Sequence, residues 1–342
     1  MSCWTSSRWR VMPPERRSAR ALQIVLGIAI SAGLVWWAFR QTPFSQVWSI
    51  ITTAHVIPVI VAVVLATIPF ALRVPRWKLL LRHKDGSAIA SRPLWSAVSI
   101  GFAANNVLPL RAGEFLRVAA ISRLAPVSFA AALSSVAVER VIDGLVAVSL
   151  LGIGLVTGDL QGSNGMGSKA EAIGIACLAV IVAAIVAAWR REQVTRLATT
   201  ILPSGTFSTR LITFVDHVLQ GLSALRDPRR AIPVVLWSVA IWLVNGTAFY
   251  VMFKAFDFNV PFAGALVVQG AAMIGIAVPS TPGFVGVLET AIYGALLLYG
   301  VDQAHGLAYA ILYHVTTFIP VTLLGATAAV ATGTELRNPP AG

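Results

Sequence analysis

Charged residues are scarce in this chain of 342 residues: they make up 12% of it, against about 25% in soluble domains. Hydrophobic residues account for 57%, and the mean hydropathy is +0.78. Too few polar side chains are available to cover a water-exposed surface, so a soluble globular protein is excluded. Several apolar stretches are long enough to cross a hydrocarbon layer about 30 Å thick. The composition therefore predicts an all-α, polytopic integral membrane protein.

Cysteine is almost absent, and so are the usual signatures of catalytic centres. The two cysteines, Cys3 and Cys177, cannot form a disulfide framework or a CxxC metal site. The five histidines are scattered, and the sequence shows no nucleophile–base arrangement or phosphate-cradling glycine loop. We therefore predict no catalytic residues, no metal site and no cofactor.

The net charge of +12 is concentrated in alternate loops. Lys and Arg are frequent in three segments: five in 1–20, six in 73–92 and seven in 190–230. They occur once each in three others: 40–54, 158–171 and 253–261. This alternation is the positive-inside pattern. It predicts a cell-membrane protein with cytoplasmic tails at 1–20 and 332–342, basic loops that contact anionic headgroups, and no nucleic-acid partner.

The apolar pattern predicts one transmembrane domain over residues 21–331. We expect six full spans: 21–39, 56–72, 127–157, 172–189, 232–252 and 306–331. In the cytoplasmic loop 190–230, helical spacing of apolar residues over 211–225 favours an interfacial helix. The segments 93–124 and 262–300 contain central breaks and lie between loops that require an even number of crossings. We therefore predict two re-entrant helical hairpins.

The two breaks have matching sequence patterns. Pro109 and Gly113 in the first break have the same spacing as Pro279 and Gly283 in the second, about half a chain length further on. The charge pattern places the entries of the two hairpins on opposite sides of the membrane. This layout predicts an inverted repeat, in which broken helices commonly form a substrate site near the midplane.

Charged residues at membrane depth are the strongest functional signal. Each charge at a helix centre costs about 2.5 to 3.5 kcal/mol to insert, so unpaired charges there are expected to face one another or water. The candidates are Arg111, Glu114, Arg117, Glu139, Arg140, Asp143 and Glu289.

Helical spacing indicates how these groups could pair. Glu114 lies three residues from both Arg111 and Arg117, so it could pair with either. Glu139 and Asp143 are one turn apart, with Arg140 beside them. These three residues could relay charge or could simply form ion pairs that lock helices together.

The backbone breaks favour anion binding. Arg111 lies at the first break, where its planar guanidinium suits a phosphate. At the second break, Ser280 and Thr281 could satisfy free backbone groups, and a helix starting near Gly283 would direct its N-terminal amides at an anion. Glu289 is expected to balance Arg111 or Arg140 or to take up a proton. His314, in the last span, could titrate or, more simply, form a hydrogen bond between packed helices.

Several motifs, taken in order, resemble the lysylphosphatidylglycerol synthase transmembrane-region family, also called flippase-like or UPF0104 proteins. The motifs are Asn105-Asn106-x-x-Pro109-x-Arg111-x-Gly113-Glu114-x-x-Arg117, Glu139-Arg140-x-x-Asp143, Pro279-Ser280-Thr281-Pro282-Gly283-x-x-Gly286-x-x-Glu289 and Arg73-x-x-Arg76-Trp77. The similarity extends from about residue 20 to 331. Two departures stand out: Leu110 replaces a usual glycine, and His314 replaces a usual arginine.

The resemblance implies a lipid-moving module without the soluble aminoacyl-transferase domain of the larger family members. The substrate residues would be Asn105, Asn106, Arg111, Glu114, Arg117, Arg140, Ser280, Thr281 and Gly283. Arg73, Arg76 and Trp77 would contact headgroups on the cytoplasmic side. The expected partners are membrane lipids with phosphate-bearing headgroups, and a lipid-modifying enzyme is a further possible partner. Two alternatives stay open: an intramembrane enzyme with Glu139 and Asp143 as acid and base or metal ligands, and an accessory subunit of a lipid-modifying synthase.

Overall fold

The computed structural model describes residues 28–29, 31–40, 42–83, 85–108, 112–158, 166–190, 193, 228–277 and 281–337. These residues are mainly helical and contain no strand. The helices are α1 (31–39), α2 (Phe44–Thr53), α3 (Val56–Leu80), α4 (Ser91–Val107), α5 (Ala112–Leu124), α6 (Phe129–Thr157), α7 (Met166–Trp189), α8 (Pro228–Lys254), α9 (Phe262–Ala277), α10 (Val287–Leu297) and α11 (Gln303–Arg337). The all-α prediction is confirmed.

Four described helices are long and apolar enough to cross a membrane: Val56–Leu80, Phe129–Thr157, Ala231–Lys254 and Gln303–Gly333. They coincide with four of the six predicted spans. The predicted span 172–189 lies within the helix α7, and the predicted span 21–39 is helical over 31–39. Apolar side chains point outward from these helices; Ile57 on α3, for example, is 77% exposed. Such surfaces are stable in lipid.

The chain outside the predicted spans includes a further helix. The segment 40–54, which is poor in Lys and Arg, contains α2, which packs against α11 through Val47. The predicted interfacial helix 211–225 lies outside the described residues.

The first predicted hairpin is formed by α4 and α5, which pack antiparallel. Their closest approach is between Gly101 and Gly113, where any side chain on Gly113 would collide with the carbonyl of Gly101. Glycine is required here because the two backbones touch. The Asn105 side chain accepts a hydrogen bond from the Gly113 N–H at 2.9 Å and so ties the arms together. The break itself, at 109–111, lies outside the described residues.

The second hairpin is formed by α9 and α10, with a 3-10 turn at Pro282–Phe284 before α10. Gly275 on α9 packs against Val287 and Ala291 on α10. Counted at about 1.5 Å per residue, the four hairpin arms are roughly 17 to 26 Å long. Each arm is therefore shorter than a bilayer core of about 30 Å.

The packing of the helices repeats between the two halves of the chain. Each half contains a long helix, a hairpin and another long helix: α3 to α6 in the first half and α8 to α11 in the second. The first hairpin arm α4 packs on α11, and its counterpart α9 packs on α6. The long helices α3 and α8 pack on each other across the middle.

The direction of α3 and α8 fixes the kind of symmetry that could relate the halves. The His55 N–H donates to the Ala255 carbonyl at 2.9 Å at one end of the pair, and Arg76 donates to Ser238 at 2.9 Å near the other. The two helices are therefore antiparallel, so an axis relating them is perpendicular to the helices. That is the arrangement expected of an inverted repeat.

Candidate functional site

Four of the charged side chains predicted at membrane depth converge where α3, α5 and α6 meet. Two carboxylates from α6, Glu139 and Asp143, lie one turn apart on the buried face of that helix. Four arginines surround them: Arg73, Arg76, Arg117 and Arg140. We call these six residues the arginine–carboxylate cluster.

Glu139 is the most enclosed member, with no exposed surface. Arg117 donates to both of its carboxylate oxygens, at 2.8 and 2.9 Å, in a bidentate pair. Arg140 donates to the same carboxylate at 2.8 Å, and Arg76 lies 3.1 Å from it. Charge-assisted bidentate pairs are the strongest hydrogen bonds of this type, so α5 is fixed firmly to α6.

Asp143 joins the cluster to α3 and α8. Arg76 contacts both of its oxygens, and Arg73 donates to it at 3.1 Å. The Trp242 indole N–H from α8 donates at 3.2 Å. Asp143 therefore links three helices that are distant in sequence.

Aromatic and hydroxyl groups support the arginines. The Arg117 guanidinium lies 3.8 Å from the centroid of the Trp77 ring, and the Trp77 indole donates to Ser135 at 2.9 Å. Arg76 and Trp77 are completely buried. The expectation that they contact headgroups is therefore wrong for these two residues: their side chains satisfy buried carboxylates and pack in the interior.

Positive charge exceeds negative charge at this site. Glu114 on α5, with one oxygen 3.8 Å from Arg140, is the nearest further carboxylate given by the described contacts. Four guanidinium groups therefore face three carboxylates, which leaves one net positive charge. An ion-pair cluster with an unbalanced cation in a low-dielectric interior is suited to receiving an anion.

A cavity of about 420 Å³ lies beside the cluster, between the two hairpins and the long helices. Its polar lining residues are Arg73, Asn105, Asn106, Glu114, Arg140, Asp143, Trp242, Asn245, Gln269, His314 and Thr317. The rest of the lining is apolar or aromatic, including Phe70, Phe102, Phe249, Phe284 and Phe318. An apolar cavity with a small number of polar groups is typical of a small-molecule binding site.

The predicted substrate residues divide into three groups. Asn105, Asn106, Glu114 and Arg140 line the cavity. Arg117, Thr281 and Gly283 do not: Arg117 is buried against Glu139, Thr281 bonds to Ser31 at 3.1 Å, and Gly283 packs on Phe318. Arg111 and Ser280 lie outside the described residues.

Two predicted pairings with described arginines are wrong. Glu114 was expected to pair with Arg111 or Arg117, but Arg117 is held by Glu139, and Arg140 is the nearest cation to Glu114 among the described residues. Pairing with Arg111 stays a prediction, because Arg111 lies outside the described residues. Glu289 was expected to balance Arg111 or Arg140. One of its oxygens instead lies 2.6 Å from His314 Nδ1, so His314 joins packed helices by a hydrogen bond, as the simpler interpretation predicted.

The predicted anion site at the second break already holds an anion of the chain itself. The helix α10 begins at Val287 rather than near Gly283, because Gly283 and Gly286 both have positive φ angles, 74° and 85°. The Gly286 N–H donates to the other oxygen of Glu289 at 2.7 Å. The helix start therefore binds a carboxylate from its own first turn.

Sequence reasoning missed four polar members of the site: Trp242, Asn245, Gln269 and Thr317 line the cavity from α8, α9 and α11. They lie within apolar spans and belong to no recognisable motif. Their one available signal is that polar or amphipathic side chains are uncommon inside a span. The pairing of Arg73 and Arg76 with the carboxylates could have been predicted. Both pairs, Arg73 with Arg76 and Glu139 with Asp143, are separated by about one helical turn.

Together, the paired hairpins, the antiparallel halves and the buried arginine–carboxylate cluster define a polytopic α-helical membrane protein with an internal, polar-walled cavity. The model of the lysylphosphatidylglycerol synthase TM region family matches residues 24–325. The chain belongs to this family, whose membership indicates a function related to membrane lipids.

A curated relative shows how far the similarity extends. The chain is 25% identical over 340 residues to a protein named Glycosyltransferase AglD from Haloferax volcanii. The match covers 90% of this chain and 54% of the relative. The chain therefore spans about half the length of that protein.

Proposed function

We propose that this protein is a lipid transporter of the flippase type, which moves a phosphate-bearing lipid headgroup between the leaflets of the cell membrane. The observation that carries the proposal is the 420 Å³ cavity, whose lining includes the cations Arg73 and Arg140 beside the carboxylates Glu114 and Asp143. The cavity lies between two hairpins that are each too short to span the bilayer. A polar cavity lowers the free-energy cost of moving a charged headgroup through the hydrocarbon layer.

Arg140 is the best placed phosphate ligand among the described residues. Its side chain is 32% exposed, although its Nε, which forms no hydrogen bond, is itself buried. A partly exposed, planar guanidinium suits a phosphate. Arg73, from the facing helix α3, lies on the same wall, whereas Arg76 and Arg117 are enclosed and hold the wall in place. Arg111 remains a proposed phosphate ligand because it lies at the first backbone break in the sequence.

The nearby carboxylate extends the range of headgroups. Glu114 lines the cavity close to Arg140, and its side chain is 29% exposed. A carboxylate beside a phosphate-binding guanidinium is complementary in charge to a zwitterionic or aminoacylated headgroup. Glu114 would accept a hydrogen bond from the ammonium group of such a headgroup. We therefore propose phosphate-bearing lipids with or without an amino group as substrates.

The enzyme alternative is less well supported by the geometry. The oxygens of Glu139 and Asp143 already accept hydrogen bonds from arginines or Trp242. A carboxylate held in this way is poorly placed to accept a proton or bind a cation. Among the described residues, no third metal-binding side chain accompanies them.

The proposed setting follows from the charge pattern and from the relatives. We propose that both termini face the cytoplasm and that the protein works beside a lipid-modifying enzyme. The second point is supported by the name of the curated relative, Glycosyltransferase AglD, which is about twice as long as the matched region.

The direct test is lipid movement in vesicles. Purified protein is reconstituted into phosphatidylethanolamine–phosphatidylglycerol liposomes that contain labelled phosphatidylglycerol, and the label reaching the other leaflet is followed over time. We expect faster transfer than in protein-free liposomes, slowed about tenfold by Arg140→Gln, since loss of one charge-assisted contact is about 1.5–3 kcal/mol. Arg123→Gln, which removes an exposed arginine at the end of α5, is the matched control and should transfer lipid as fast as the unaltered protein. Equal rates with and without protein would refute the proposal.

A further inference from the structure

A second hollow, a groove of about 720 Å³, lies on the outside of the protein next to the central cavity. It is lined by α1, the start of α10 and α11, and most of its lining is apolar: Val35, Trp36, Ala38, Phe39, Phe44, Val285, Leu307, Ile311, Val315, Phe318 and Ile319. Its ionisable residues are Arg40, Glu289 and His314. Trp36 is 67% exposed and Ile319 51%, so the groove is open to the surroundings. In a membrane, those surroundings are lipid.

Only a thin wall separates the groove from the central cavity. Along the chain from Phe284 to Glu289, Phe284 and Leu288 line the cavity, whereas Val285, Gly286 and Glu289 line the groove. On the α11 side, His314 and Phe318 line both spaces. We call the segment 281–289 the partition, because one stretch of polypeptide has the cavity on one side and the groove on the other.

The backbone of the partition is irregular. Gly283, Phe284 and Gly286 have φ angles of 74°, 63° and 85°, and a positive φ is uncommon for a phenylalanine. The segment is held at both ends by side chains: Thr281 bonds to Ser31 on α1 at 3.1 Å, and Glu289 contacts His314 on α11 at 2.6 Å. These side-chain contacts, together with the packing of Gly283 on Phe318 and of Gly286 on the Ser31 carbonyl, would have to rearrange for the partition to move relative to α1 and α11. Irregular segments that absorb large φ and ψ changes are common hinges.

We propose that the groove binds a hydrocarbon chain of the same lipid whose phosphate headgroup occupies the central cavity, with the partition moving aside to connect the two sites. This inference rests on the proposed function. A headgroup inside the protein still carries its hydrocarbon chains, and these need an apolar path to the bilayer. The groove is such a path: it is apolar, open to lipid and separated from the headgroup cavity by one segment. Its occupant is therefore a lipid chain rather than a peptide or a second protein copy.

Photo-crosslinking locates the chain without relying on transport. The protein is reconstituted into phosphatidylethanolamine–phosphatidylglycerol vesicles that include a phosphatidylglycerol with a diazirine in the middle of one acyl chain. After irradiation, lipid adducts are mapped by peptide mass spectrometry. We expect adducts concentrated on Val315 and Ile319 in the groove and sparse on Ile57 and Ile60, which face outward from α3.

Groove-filling variants test the site, and a charge variant tests its link to the headgroup. Val315→Trp, or Ile319→Trp if the first variant folds poorly, should abolish the groove adducts. Ile60→Trp is the matched control, since it places the same ring on a lipid-facing helix elsewhere and should leave the adducts unchanged. Arg140→Gln should reduce groove labelling by this lipid, because the phosphate would lose its anchor in the cavity.

The outcomes separate this inference from the transport proposal. Adducts spread evenly over the groove and α3, or groove labelling unaffected by Arg140→Gln, would each overturn the inference. If lipid transfer is absent in liposomes while groove labelling is reduced by both the groove-filling variant and Arg140→Gln, the result would support the lipid-binding site and refute the transport proposal. If transfer is present and the groove is unlabelled, this inference alone fails.

Discussion

At the scale of single residues, the arginines of the cluster divide into two roles according to exposure. Arg76 and Arg117 are buried and hold carboxylates, whereas Arg73 and Arg140 also line the cavity. Breaking a buried ion pair leaves an uncompensated charge, which is far more costly than losing an exposed one. Replacing a buried arginine should therefore mainly lower stability, whereas replacing a cavity arginine should mainly slow transport.

Replacement of Arg117 tests the structural role. Arg117→Ala removes both hydrogen bonds to Glu139 and the contact with Trp77. We expect a loss of about 3 kcal/mol in stability, the lower end for a buried pair, since Arg76 and Arg140 still contact Glu139. Thermal unfolding in detergent measures the change, with Arg123→Ala on the same helix as the exposed control. Equal effects of the two substitutions would show that the Arg117–Glu139 pair contributes no special stability.

Residue identities were easier to predict than residue partners. The sequence identifies Glu139, Arg140 and Asp143 as candidate site residues, because charged residues inside a span are rare. It cannot show that Arg117 pairs with Glu139 or that Glu289 pairs with His314, because those distances depend on how α5, α6, α10 and α11 pack. Arg73 and Arg76 lie at the start of the basic segment 73–92, and the resemblance implies headgroup contact for them, yet α3 carries them into the cluster.

At the scale of the elements, glycine contacts set the hairpin geometry. A Cβ on Gly113 would strike the backbone of α4, whereas a Cβ on Gly144 in α6 would have no neighbour within 4 Å. Proline and glycine breaks are visible in the sequence, so both hairpins could be predicted. The helix α2 could not, since its ten residues carry no break or capping signal beyond Pro43.

These two glycines form a matched pair of substitutions. Gly113→Ala should destabilise the protein by about 1–3 kcal/mol, because the two hairpin arms must separate. Gly144→Ala should be neutral or stabilise the protein by up to about 1 kcal/mol, since alanine favours helix. Differential scanning fluorimetry of both variants in detergent makes the comparison. A well-tolerated Gly113→Ala would contradict the close approach of α4 and α5.

The start of α11 has a cap that depends on pH. Asp302, in the turn before α11, accepts hydrogen bonds from the N–H groups of Ala304 at 3.0 Å and His305 at 3.2 Å. Partial burial opposes ionisation, but the hydrogen bonds from His305 and Ala304 outweigh it and lower the pKa of Asp302 below its usual range. Its stabilising effect is therefore complete above the ordinary pKa of an aspartate and is lost as pH falls through the lowered pKa.

Asp302→Ala tests this cap. We expect a loss of about 0.5–1 kcal/mol at neutral pH, typical of a removed helix cap. The difference in melting temperature between the variant and the unaltered protein should shrink as pH falls below the ordinary aspartate pKa, about 3.9, and through the lowered pKa of Asp302. A difference that is constant with pH would show that the ionised carboxylate is not the stabilising group.

At the scale of the whole molecule, the central feature is the relation between the halves. The equivalent packing of α4 on α11 and α9 on α6, together with the antiparallel contact of α3 and α8, fits an inverted repeat. The matching breaks and the loop charges predicted this arrangement. The cavity could be expected only in outline, because its walls combine residues from both halves.

Cysteine labelling tests the inversion. In a variant with both native cysteines replaced, single cysteines are placed at Ser87, before the first hairpin, and at Asn259, before the second. An inverted repeat requires these exposed positions to lie on opposite sides of the membrane. A membrane-impermeant maleimide applied to intact cells should label Asn259→Cys and spare Ser87→Cys. Labelling of both positions, or of neither until the cells are lysed, would exclude inversion.

The most direct measurement of the central claim is a comparison of lipid binding with and without a phosphate. Purified protein in detergent is mixed with phosphatidylglycerol or with diacylglycerol carrying the same chains, and retained lipid is counted by native mass spectrometry. The proposed site predicts that the unaltered protein retains phosphatidylglycerol in preference to diacylglycerol and that the Arg73→Gln/Arg140→Gln variant loses this preference while the Arg123→Gln variant keeps it. Equal retention of the two lipids by the unaltered protein, or a preference that survives loss of both cavity arginines, would contradict phosphate recognition at this site.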